Sequence, residues 1–268
     1  MNWNEIIQKG NATGISPALI LREEMQKATL ASLSRMNAFN SIVFQGGTAL
    51  RIFYNNPRFS EDLNFVRLEG GNFDFTRRSG EIERFLSSEF YYLPEIRVST
   101  QKKAEDIQRL VIRSISEVPS QRLSINIELF SVPSYLNSPR ILAYAPFNPV
   151  VRVEKAEEVL ADKIIAIALR EYLKGRDIWD IFYLTTELRA STDRGLIEKK
   201  ARNYGVMDVW NRAMEGRGRL LDGGLEALDR EMKRFLPAST YGQIKGSFGT
   251  IIESVSKELF KYAERGLR

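Results

Sequence analysis

The stretch FQGGTALRIFYNNPRFSEDLNF, residues 44–65, decides how the rest of the chain is read. With the preceding NSIV it starts as a short apolar strand that stops at Gly46-Gly47. TALRIFYNN then returns to helical spacing, and EDLNFV alternates as a strand does. The two glycines let a ligand approach the backbone closely, and Thr48 offers a hydroxyl where the helix begins. The helix N-terminus adds free N–H groups and the positive end of its dipole, which suits a phosphate. A Gly-Gly turn between strand and helix also occurs for geometric reasons alone, and no P-loop pattern is present in the chain. On the second strand Asp62 and Asn64 share one face, with Leu63 and Phe65 on the other. Two oxygen ligands so placed can grip divalent ions beside a triphosphate.

Upstream, SPALILREEMQKATLASLSRM (Ser16–Met36) reads as an amphipathic helix with Ser16 as N-cap and Pro17 in the first turn. Downstream, FDFTRRSGEIERFLSSEF is helical, and YYLPEIRVS, IQRLVIRSI and QRLSINIELF are strand-like. In the last of these Leu123, Ile125, Ile127 and Leu129 share one face. Ser124, Asn126, Glu128 and Phe130 share the other, which makes Glu128 a candidate third metal ligand. Beyond Pro149 the pattern changes to two helices broken near Lys174-Gly175, then further helix with glycine-rich breaks such as GRGRLLDGG. The expected architecture is α+β: a mixed-sheet domain over residues 1–150, followed by a helical domain over 151–268.

Composition narrows the chemistry. The 268 residues contain no Cys and no His, which excludes disulfides, thiol nucleophiles, thiolate zinc sites and imidazole bases. Any metal must be held by oxygen, which favours magnesium, manganese or calcium, and acid–base work falls to Asp, Glu, Lys or Tyr. The net charge is +5. From Arg189 onward 16 Lys and Arg face 11 Asp and Glu, while the first 188 residues balance at 23 against 23. A basic segment of this kind fits a polyanion such as RNA, and equally a solvated basic surface. There is no apolar run of ~18 residues and no signal-peptide pattern at the N-terminus, so the expected location is cytoplasmic, with no membrane partner.

Two ordered motifs give the chain a family likeness. Gly46-Gly47-Thr48-Ala49-Leu50-Arg51, then Arg58-Phe59-Ser60, then Asp62-Leu63-Asn64 resemble the signature of AbiEii/AbiGii-type nucleotidyltransferase toxins, within the DNA polymerase β-like superfamily. The later stretch VLADKIIAIALREYLKGRDIWDIFYL resembles the family's second signature through Lys163, Arg176, Asp177 and Asp180. The likeness spans residues 17 to 188. It implies a nucleotidyltransferase domain with a helical second domain, and magnesium- or manganese-dependent transfer of a nucleotide from an NTP. It further implies an RNA acceptor, tRNA ends being a known case, and a toxin paired with an antitoxin or serving phage defence. Carried over position by position, Gly46, Gly47, Thr48, Arg58, Ser60 and Arg176 would bind the nucleotide. Asp62 and Asn64 would hold metal, with Glu128 the third candidate from its strand face alone; Lys163 would neutralise the triphosphate, and Asp177 would orient nucleotide or acceptor.

Helical spacing agrees in part. Lys163 and Arg170 lie seven residues apart on one face, and Asp177 and Asp180 share another. Arg176-Asp177 also reads as an ion pair locking two helices, and Asp180 as part of a core stripe. Asn64 departs from the family, which has a second carboxylate there. An amide ligates magnesium without bringing charge, so metal binding and reaction should weaken. Three readings follow: Asp62 with Glu128 suffices; the protein is a catalytically impaired nucleotide or RNA binder; or residue 64 is an inactivating exchange in a toxic protein. A purely structural partner in a protein complex is the remaining alternative.

Overall fold

The computed structural model describes residues 1–264. The chain divides into two compact units: Met1–Asn55 with Phe59–Glu154, and Asn56–Arg58 with the residues from Lys155 onward.

The first unit holds helices α1 (Trp3–Thr13), α2 (Pro17–Arg35), α3 (Gly46–Phe53) and α4 (Ser79–Glu89). Its strands are β1 (Ile42–Gln45), β2 (Leu63–Arg67), β3 (Glu95–Lys103), β4 (Ile107–Ile115), β5 (Leu123–Pro133), β6 (Asn137–Ile141) and β7 (Val150–Glu154). They form one sheet in the order β3-β4-β5-β2-β1-β7-β6. The β2/β5 and β1/β7 pairs are parallel and the rest antiparallel, so the sheet is mixed, as the sequence led us to expect. Pro17 starts α2, whereas Ser16 occupies the cap position without a side-chain capping bond.

Alternation along β2 and β5 orients the sheet. Leu63, Phe65, Ile125, Ile127 and Leu129 join Phe44 and the α2 residues Leu21, Met25, Ala28 and Leu33 in one buried core. Each Leu, Ile, Phe or Met among them contributes roughly 1.5–3 kcal/mol on burial. That burial turns Asn64, Asn126 and Glu128 to the opposite face of the sheet.

Three features differ from the sequence reading. Strand β3 begins at Glu95 rather than Tyr91, because Pro94 has no N–H to give to a ladder. Strands β6 and β7 were not expected; β7 pairs in parallel with β1 through Phe44 and Val153, and the boundary drawn after residue 150 falls inside it. The third difference lies in the helical unit.

That unit comprises α5 (Ala156–Leu169), α6 (Gly175–Thr186), α7 (Arg194–Asn203), α8 (Val209–Phe235), α9 (Ala238–Ile244) and α10 (Phe248–Glu264). The break between α5 and α6 lies near Lys174-Gly175, as expected. The glycine-rich stretch GRGRLLDGG is no break: α8 runs through it without interruption. An interior glycine costs a helix roughly 0.5–1 kcal/mol relative to alanine, but here the missing side chain allows close packing. A Cβ on Gly216 would sit 2.8 Å from the Ile167 carbonyl oxygen of α5. Burial of Leu220, Leu228, Met232 and Phe235 along α8 supplies the remaining support. No helix among the described residues is long and apolar enough to cross a membrane.

Candidate active site

In the sheet unit, β1 delivers the chain to Gly46, whose φ of +79° lies in the left-handed region that favours glycine. Gln45 pairs with Asn64 across the β1/β2 ladder. A Cβ on Gly46 would meet only the Asn64 side chain, 3.4 Å from Nδ2. The glycine turn and position 64 are therefore neighbours, as the motif order suggested.

Thr48 acts differently from expectation. It is fully buried, and its hydroxyl donates to the Asp62 carbonyl oxygen at 2.5 Å. That bond ties α3 to the entrance of β2 and positions Asp62, so the hydroxyl is engaged within the chain rather than offered to a phosphate. Ser60 is part-exposed, and its carbonyl oxygen accepts from Gln26 Nε2 at 3.0 Å.

Asp62 is also part-exposed. Asn126 Nδ2 donates to its Oδ1 at 2.9 Å, and no cation pairs with it among the described residues. Glu128 lies beside Asn64 in the β2/β5 register, on the same face. Its Oε1 already accepts from Arg109 Nε at 2.7 Å and pairs with Nη2 at 2.6 Å, which leaves Oε2 for any ligand. No group of three or more acidic side chains converges among the described residues. The donors present are one uncommitted carboxylate, half of a second and the amide of Asn64. All are oxygen donors suited to a hard divalent ion, and they fit a single ion that completes its shell with substrate phosphates. They do not supply the two free carboxylates that would bridge a metal pair.

The helical unit carries the second constellation. Lys163 on α5 reaches Asp177 Oδ1 at 2.8 Å and Asp180 Oδ2 at 2.7 Å, both on α6. Arg170, at the C-cap of α5, pairs with the other oxygen of Asp177. Burial alone would push the Asp177 carboxyl up, but the charges of Lys163 and Arg170 outweigh it and hold it at about 2. Asp180 is depressed in the same way, burial being overcome by Arg58 and Lys163.

Arg58, expected to bind nucleotide, is 1% exposed. Its Nε donates to Asp180 Oδ1 at 2.6 Å and its Nη2 to Oδ2 at 2.5 Å. Asn56 donates to the same carboxylate and accepts from Trp179 Nε1. This buried fork makes Arg58 a structural partner of Asp180, a role that no spacing rule could distinguish from phosphate binding. Arg176 does not pair with Asp177: its backbone N–H donates to Glu231 Oε2 at 2.8 Å, and its guanidinium lies 5.9 Å from the Phe235 ring centre. The inter-helix ion pair does exist, through Lys163 and Arg170 instead.

The sequence reading missed the roles of Asn126 and Arg109. Asn126 was visible on the polar face of β5, but its reach to Asp62 depends on β2 lying beside β5. Arg109 became relevant only through the β4/β5 register.

This geometry can be set beside known proteins. The family model "Nucleotidyl transferase AbiEii toxin, Type IV TA system" matches residues 28–254, which includes both constellations. The chain belongs to the AbiEii nucleotidyltransferase toxin family. Solved structures share the fold of this AbiEii-family chain. JHP933 from Helicobacter pylori aligns with a TM-score of 0.57 at 16% identity, covering 92% of this chain and 94% of its own. MenT4, a nucleotidyltransferase toxin from Mycobacterium tuberculosis H37Rv, aligns with a TM-score of 0.54 at 20% identity, covering 76% and 71%. No curated protein matches the chain.

Proposed function

We propose that this AbiEii-family toxin transfers a nucleoside monophosphate from an NTP to an RNA acceptor, tRNA among the candidates, and that Asp62 carries the chemistry. The supporting observation is the carboxylate itself: part-exposed, oriented by Asn126, without a cationic partner among the described residues, and adjacent to the Gly46-Gly47 turn. An accessible, uncompensated carboxylate beside a glycine turn suits a divalent ion and a triphosphate.

In the transfer, an acceptor hydroxyl oxygen bonds to the α-phosphorus and gives up its proton to solvent, the bond from the α-phosphorus to the oxygen bridging to the β-phosphate breaks, and pyrophosphate leaves with that oxygen. A magnesium or manganese ion held by Asp62, Asn64 and Oε2 of Glu128 would supply charge neutralisation to the phosphates. Gly46 and Gly47 would present backbone to the triphosphate. Thr48 positions Asp62 through its carbonyl bond. Lys163 uses two of its three N–H donors on Asp177 and Asp180, which leaves the third for an anionic oxygen. Asp177 orients that lysine together with Arg170. A cognate antitoxin and a cytoplasmic site of action belong to the same reading.

The test is incubation of the protein with each labelled NTP, magnesium or manganese, and total RNA. Label on RNA supports the proposal. Asn64 favours a second reading, a nucleotide- or RNA-binding protein with impaired catalysis. Binding of NTP or RNA without transfer, restored to transfer by Asn64→Asp, would select it. Absence of both binding and transfer overturns both readings.

A further inference from the structure

The face of the sheet that carries Asp62 continues past the candidate site into a set of cations that its chemistry does not use. In the β3/β4 register Arg97 lies opposite Arg113, and Lys102 lies opposite Arg109. Both pairs put like charges directly across from one another, which destabilises a sheet. Two of these cations are relieved: Arg97 by Glu95 and Arg109 by Glu128. Lys102 and Arg113 are exposed and have no carboxylate partner among the described residues; Arg113 donates only to Ser99 Oγ, at 3.3 Å.

These cations are in register with the site. One cross-strand row runs Lys102, Arg109, Glu128, Asn64, Gln45 from β3 to β1. Along β5, Ser124 follows Asn126 on the same face at about 7 Å. Beyond it an open groove of about 490 Å³ is lined by Arg113, Ser116, Ser124, the apolar Ile115 and Leu123, and Arg122, which pairs with Glu117 at its rim. Edge strands carry Lys and Arg to prevent pairing with other chains, and β3 is an edge. β4 is not an edge, so that explanation does not reach Arg113.

We propose that the open sheet face from Asn126 to the groove between Arg113 and Arg122 is the track for the acceptor RNA backbone, with Lys102 and Arg113 as phosphate contacts. This rests on the RNA-acceptor reading above and deepens it. A polyanion would neutralise the two cations, Lys102 and Arg113, that no carboxylate meets among the described residues. Contacts to phosphate position an acceptor without reading its sequence, which suits an end presented to Asp62.

The experiment measures binding of total tRNA, without NTP, across a salt series. The Lys102→Gln/Arg113→Gln variant should bind tRNA about tenfold or more weaker, with the slope of log affinity against log salt reduced by about two. Its melting temperature should equal or exceed that of the parent, because like-charge repulsion is removed. Arg77→Gln/Arg84→Gln, with the same loss of charge elsewhere on this unit, should leave affinity near the parent value. Parent-like affinity and slope in the Lys102/Arg113 variant, with or without aggregation, overturns the track while the RNA-acceptor reading stands. If the parent binds neither tRNA nor total RNA, the track and that reading fall together.

Discussion

Asp62 in the sheet unit and Asp177 with Asp180 in the helical unit are carboxylates that anchor two motifs of one family, yet their surroundings differ in kind. Asp62 is part-exposed, holds one hydrogen bond from Asn126 and meets no cation among the described residues. Asp177 and Asp180 are buried, and Lys163, Arg170 and Arg58 converge on them. A buried carboxylate must be compensated by the fold itself, because desolvation of an unpaired ion costs several kcal/mol. A part-exposed one can leave compensation to a ligand. The contrast separates carboxylates that the fold itself compensates from the one we assign to the metal.

The comparison breaks most visibly at Asp180. Asp180→Ala strands Arg58 in the core and should cost about 3–5 kcal/mol of stability, read as a lower urea midpoint. A loss below about 1 kcal/mol would mean that the cluster is not the structural centre we describe.

Acid should test the same cluster more gently. The Asp177 carboxyl ordinarily titrates at 3.8 and is held at about 2 in the fold. A depressed folded value means that its stabilisation is present above the unfolded value and disappears as pH falls through the folded one. Stability on the order of 2 kcal/mol should therefore be lost between about pH 4 and pH 2. Asp74, held at about 2 by Lys103 and Thr76 against a burial effect that raises it, titrates over the same range. Urea midpoints of Asp177→Asn and of Asp74→Asn should each lose part of the slope; an unchanged slope in Asp177→Asn would place the acid sensitivity at the surface.

The smallest expected effect sharpens the other side of the comparison. Asn64→Asp adds a second carboxylate beside Asp62 and should lower the metal concentration needed for half-maximal transfer by on the order of tenfold. Unchanged metal dependence would remove residue 64 from the metal site.

Much of this was legible in the residues. The glycine turn, the shared face of Asp62 and Asn64, and the polar face of β5 followed from spacing, since strand alternation is local. The two motifs and their order brought the family into view. What spacing could not show was where each group spends its hydrogen bonds. Thr48 and Arg58 have residue types suited to phosphate, and only their burial shows that they are engaged with Asp62 and Asp180. Gly216 of α8 read as part of a break because the α5 backbone that it admits is remote in sequence. β7 was hidden because VVRVE is short and its pairing with β1 is distant along the chain. Arg109, Arg113 and Lys102 became a surface only once the strand register was known.

The central claim is that Asp62 is the chemical centre and is dispensable for the fold. It is tested most directly by comparing the protein with Asp62→Asn for label transfer from NTP to total RNA, alongside their melting temperatures. We expect transfer to fall about a hundredfold to a thousandfold, the scale of several kcal/mol of lost charge stabilisation, with melting unchanged. Equal transfer by the two proteins at equal stability would contradict the account.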